Sequence, residues 1–243
     1  MNRLSLFSGA LIALSLLLGA CGGGGGGRTP GTDVPPVTTL AFDVTVTNLT
    51  NAQPLSPVAY VGHEGGYQVF SVGSVATAGL ELLAESGDNS MLLSEAEASD
   101  AVLLSRTGAA AIGPGASETQ SFTVNEATAN NLSFAVATML VNTNDAFTAR
   151  NAVDVSSMQV GESISVRTIA YDAGTEADTE GPGTIPGPAD GGEGFNALRD
   201  DDADRISMHP GVVTNATGLA SSVLTEQHRF DNPVAQIVIT RTN

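Results

Sequence analysis

Apolar and polar residues alternate from Leu40 to Asn48. Phe42, Val44 and Val46 fall on one side, and Asp43, Thr45 and Thr47 on the other. A period of two predicts a half-buried strand. The same alternation predicts strands over Gln120–Val124, Ser163–Tyr171 and Val234–Arg241, with a short one over Val58–Val61. Leu132–Val141 is apolar almost throughout and rich in β-branched and aromatic residues, which predicts a central strand covered on both faces. Ala152–Met158 reads as a short return strand, and strand character resumes over Arg205–Val213. Two pieces carry helical spacing instead. Val75, Ala78, Leu82 and Leu83 share one face of Ser74–Glu85, with Ser74 as the expected cap. A second helix is expected to start near Asn89 or Ser90. The pattern predicts a mainly β fold over residues 40–243, an antiparallel β-sandwich with one or two short inserted helices.

The first residues read differently. Met1–Arg3 is a basic start, Leu4–Leu18 an apolar run, and Leu18, Gly19 and Ala20 lead into Cys21. This is the layout of a secretory signal, and the run is too short for a retained spanning helix, which needs about 20 apolar residues. The four residues Leu18–Cys21 resemble the lipobox of bacterial lipoproteins. That resemblance implies a lipoprotein signal peptide over 1–20 and acyl chains on Cys21, the single cysteine of the chain. Each buried methylene of such an anchor contributes about 0.8 kcal/mol. Residues 21–39 form a linker, flexible through Gly22–Gly27 and stiffened by Pro30, Pro35 and Pro36. The glycine run is no phosphate loop: no strand precedes it, and no Lys with Ser or Thr follows.

Charge narrows the partners. The formal net charge is −17, and all nine basic residues are Arg. So acidic a surface repels nucleic acid and suits divalent cations. With one cysteine, no disulfide can form within the chain.

The candidate chemistry lies in two loops that follow apolar runs, Met139–Phe147 and Ala170–Glu180. They offer Asn142, Asn144, Asp145, Asp172, Glu176, Asp178 and Glu180. Hard dications take six to eight oxygen ligands from such groups. No His or Cys is near in sequence, which disfavours zinc. Gly174 permits a tight turn between Asp172 and Glu176. If the chain returns once between the two preceding strands, both loops emerge at one end of the sandwich. The same acids could instead merely solvate a loop. The acidic run Asp200–Asp204 is a looser cation-attracting patch. Glu85 and Asp88 read as solvated helix-end acids, His63 as a surface residue, and His209, ahead of Pro210 and Gly211, as a turn residue. Residues 172–205 show little regular pattern, a long stretch for a compact domain.

Four segments together carry a family resemblance: Phe42–Pro57, Leu83–Asp88, Met139–Phe147 and Tyr171–Glu176. They resemble the spondin N-terminal domain, and most closely its bacterial, lipoprotein-like members. The resemblance implies a β-sandwich similar to C2 domains, with Ca2+ held in loops at one end by Asp145, Asp172 and Glu176. Position 176 is Glu where animal members commonly carry Asp. Animal members, found in secreted matrix and adhesion proteins, lack the lipobox and the long Gly/Pro-rich loop.

The expectation is a non-catalytic, calcium-binding module for adhesion. It would be tied to a membrane by its lipid anchor, with a protein or glycan ligand at the cell surface. The expected place is the bacterial cell envelope, at the outer membrane. Two alternatives stay open: a hydrolase of an extracellular polymer using the acidic loops, and a purely structural lipoprotein. No Gly-x-Ser-x-Gly elbow is present, and the absence of Trp leaves little for a sugar platform.

Overall fold

The structure, a computed structural model, describes residues 38–199 and 204–243. The signal peptide expected over 1–20, Cys21 and the linker through residue 37 lie outside the described residues, as do 200–203 of the acidic run. The described chain forms β1 (Thr39–Asn48), β2 (Ala59–His63), α1 (Ala78–Ser86), α2 (Ser90–Glu97), β3 (Val102–Thr107), β4 (Ser117–Asn125), β5 (Ser133–Met139), β6 (Ala146–Asp154), β7 (Ser163–Thr168), β8 (Ala170–Asp172), β9 (Ser207–Met208) and β10 (Ala235–Arg241).

The strands make two antiparallel sheets, ordered β4-β1-β10-β7 and β3-β2-β5-β6-β8-β9. The inward residues of β1 (Phe42, Val44, Val46) and β10 (Ile237, Ile239) meet Tyr60, Phe134 and Val136 from the larger sheet. Phe134 packs edge-on against Phe42, with ring centroids 5.7 Å apart. This shared core makes the fold a β-sandwich, as the alternation predicts. Each fully buried aromatic or branched side chain contributes roughly 2 kcal/mol.

β5 is buried along its whole length. Phe134 and Val136 enter the sandwich, while Ala135 and Ala137 lie under the helices with Leu80, Leu83 and Leu92. Small residues on that side let the helices sit close to the sheet. α1 begins three residues later than Ser74 would have it. Thr77 caps it, accepting from the Leu80 amide at 3.2 Å, and Glu95 of α2 takes the Gly79 amide at 2.8 Å. Gly87, at φ 74°, ends it.

Other departures concern edges. β3 is only half-buried, and its period does not stand out in the sequence. The return strand starts at Ala146, inside the first loop, and not at Ala152. The alternating run Ser163–Tyr171 is split: β7 belongs to one sheet and β8 to the other, with the crossing at Ile169. The strand near Arg205 shortens to two residues.

The sandwich has two poles. β1 comes in at Thr39 on one and ends at Asn48 on the other, where Asn48 pairs with Ala235 and Ala235 with Thr168. The chain then continues through β8 to Asp172. Gln53, just past β1, accepts from the Asn142 amide at 3.0 Å. Both key loops therefore sit at the Asn48 pole.

Candidate metal centre

β5 and β6 are antiparallel, and so are β6 and β8, so β5 and β8 point the same way. Ala146 pairs with Asp172, which sets Asp145 next to Asp172. The second loop then wraps Asp145. Its Oδ2 accepts from the amides of Thr175 at 2.9 Å and Glu176 at 3.2 Å. Asp172 accepts from the Gly174 amide at 2.7 Å. The turn requires Gly174: φ is 71°, and a Cβ there would meet the Arg205 carbonyl oxygen at 2.5 Å.

Asp145 is wholly buried, and its Oδ1 has no hydrogen-bond partner. Burial, and then the charge of Asp172, push its carboxyl up to about 7, against the two amides that stabilise the ionised form; Asp178 adds to the rise. Asp172 also has Asp178 and His209 near it, a group of three apart from Asp145. One ligand atom each from Asp172, Asp178 and His209 lie within 4.8 Å of one another. The His209 Nε2 is 3.4 Å from Asp178 Oδ1, a charge-pairing distance without a well-formed hydrogen bond. Burial lowers the His209 pKa, and Asp178, Asp172 and Asp145 outweigh it to raise it.

Glu176 turns the other way. Its Oε1 lies 2.8 Å from the Arg199 Nη2, and its Oε2 accepts from Nη1 at 2.9 Å. Glu85 joins this pair from the end of α1 and is buried, not solvated. Burial raises the carboxyls of both Glu85 and Glu176. Mutual repulsion lifts Glu176 further, against the pull of Arg199. Of the three expected ligands, Asp145 and Asp172 are side by side, and Glu176 contributes its amide to Asp145 while its carboxylate faces Arg199.

The remaining loop residues fasten the long segment. Asn144 Oδ1 accepts from the Glu180 amide at 3.0 Å, and Asn142 Oδ1 from the Ala189 amide at 2.9 Å. Gly187 lies so near Val141 that a Cβ would come within 2.2 Å of its carbonyl oxygen. Glu180 takes the Val213 amide at 2.7 Å. His63, far from this pole, is buried and not a surface residue, its ring nitrogens facing the carbonyls of Glu64 and Asn151.

A carboxylate oxygen buried without a donor, beside two further carboxylates, fits a dication. Asp145, Asp172 and Asp178 would hold it, and it would neutralise charges that otherwise repel. Sequence spacing could not find Arg199, which approaches from a stretch without periodicity, or His209, whose place beside the acids depends on how that stretch folds back. The ring in front of Pro210 and Gly211 carried the one available signal.

No curated protein matches the chain. The Spondin_N family model matches residues 48–181, a span that contains both loops and ends ahead of Arg199 and His209. That match covers more than half of the sequence, and the chain belongs to the spondin N-terminal domain family.

Proposed function

We propose that this protein is a lipid-anchored, non-catalytic module of the bacterial cell envelope. It binds calcium at the Asn48 pole and engages a protein or glycan there. The observation that carries the reading is Asp145: a fully buried carboxylate with one oxygen unpartnered, next to Asp172 and near Asp178. Calcium takes carboxylate oxygens in flexible numbers and suits this set. Family membership supports an extracytoplasmic setting, and the lipobox-like Leu18–Cys21 supports anchoring through Cys21 at the outer membrane.

The hydrolase reading has less support. A general acid must reach its substrate. Asp145, whose carboxyl rises to about 7, has no exposed surface. Two clefts, of about 460 and 480 Å³, have no Asp or Glu among their lining residues, and in a smaller one, of about 100 Å³, the lining acid Glu176 is paired with Arg199.

The test is thermal unfolding with calcium and with chelator. Calcium binds the folded form and raises the melting temperature by mass action. Asp172→Ala removes most of that rise. A melt that chelator leaves unchanged would sink the calcium reading.

A further inference from the structure

We propose that His209 sets the selectivity of this site by presenting a nitrogen-bound proton to it and not a lone pair. The inference rests on the reading that a cation binds among Asp145, Asp172 and Asp178. Two aspartates and a histidine within 4.8 Å would ordinarily suggest a zinc or manganese set. The ring's own hydrogen bonding argues otherwise.

The imidazole is fixed on all sides. Its backbone amide donates to Ala170 of β8 at 3.2 Å, which ties it to the strand that carries Asp172. Its side chain is 1% exposed, and its ring packs 5.4 Å from that of Phe230. The turn at Pro210 brings the Gly211 amide to 2.9 Å from Nδ1. A backbone N–H can only donate, so Nδ1 carries the lone pair. The neutral ring must then hold its proton on Nε2. Nε2 is the atom turned toward the carboxylates, 3.4 Å from Asp178 Oδ1. Flipping the ring would set a C–H against the Gly211 amide and forfeit that bond.

A metal binds histidine through a lone pair. Here the lone pair is taken by Gly211, on the side away from the acids. His209 therefore stands outside the ligand set as a positioning residue. Its N–H is turned toward Asp178 Oδ1 at 3.4 Å, without a well-formed hydrogen bond, and that carboxylate's other oxygen is left to turn to the cation. The ligands are then all oxygen, a set that favours calcium over zinc.

Two-bond 1H–15N spectra of the labelled protein read the tautomer directly, with His209→Gln identifying the resonances. The expected result is the Nε2–H form, both with chelator and with calcium, and no coordination shift of the ring nitrogens when zinc is added. Calorimetry with calcium and zinc supplies the second arm. His209→Gln keeps a donor at this position and retains calcium affinity, whereas His209→Leu lowers it about tenfold. An Nδ1–H ring would overturn the proposal, as would zinc binding tighter than calcium with that advantage lost in His209→Gln. If the ring is Nε2–H and calcium does not bind, the cation reading has failed and selectivity falls with it. If calcium binds and the ring is Nδ1–H, the selectivity proposal alone has failed. Should the variants not fold, the tautomer of the unaltered protein still decides.

Discussion

Asp172 lies across the ladder from Ala146, and this places its carboxylate against that of Asp145. Repulsion between the two is built into the pairing of β6 with β8. It is relieved by a proton, by a cation or by removing one of the charges, and each remedy has a measurable signature.

Asp145→Asn removes one charge while keeping a carbonyl oxygen for the Thr175 and Glu176 amides. Its NH2 group would occupy the position of the unpartnered Oδ1 and donate toward the neighbouring acids. The variant should be more stable than the wild type in chelator, by about 1 kcal/mol. It should show no calcium-induced rise in melting temperature. Urea titrations with and without calcium measure both effects.

The pH dependence follows from the same carboxyl. Burial, and then Asp172, push the Asp145 carboxyl up to about 7 in the folded protein, from about 3.9 in an unfolded chain. A raised folded pKa contributes stability that is complete below about pH 4 and is lost as pH rises through 7. In chelator, this contribution falls between about pH 4 and pH 7. Bound calcium would offset it, so the calcium-induced rise in melting temperature should grow over that interval. A rise of equal size at pH 5 and pH 8 would contradict the assignment.

Arg199 is the cation of a different pair. Replacing it with Met leaves Glu176 and Glu85 buried without a counter-charge, which costs about 3 kcal/mol. Adding Glu176→Gln to the same chain should restore part of the loss. Calcium should still raise the melting temperature of the double variant, because the Glu176 carboxylate faces Arg199. Loss of the calcium effect on Glu176→Gln alone would place that carboxylate among the ligands.

Gly174→Ala tests the turn. A side chain at φ 71°, against the Arg205 backbone, costs on the order of 1–3 kcal/mol. The strain falls between Asp172 and the two amides that hold Asp145, so calcium affinity should drop together with stability. Calorimetry on the folded variant checks this.

Much of this architecture could be read from period alone. β1 and β10 alternate cleanly because each has one buried face, and β5 reads as a continuous apolar run because both its faces are covered. β3 escaped notice because it is half-exposed at a sheet edge. The crossing at Ile169 was invisible, since an alternating run continues to alternate after it changes sheets. At the site, Asp145 and Asp172 were legible as acids at the ends of apolar runs. The burial of Glu85 leaves no mark in the sequence because the segment that covers it, Gly194–Arg199, comes from a distant and patternless part of the chain. His209 shared that difficulty: its role depends on where Gly211 points, and no spacing encodes that.

The polarity of β1 has a consequence for what the loops sense. The chain comes in at Thr39 and the carboxylates lie past Asn48, so about 30 Å of strand separates the two poles. The field of a charged membrane surface decays over about 10 Å at 0.1 M salt. A charged surface meeting the Thr39 pole would lie about three such lengths from the loops, and the ions gathered at it would not set the charge balance of Asp145 and Asp172.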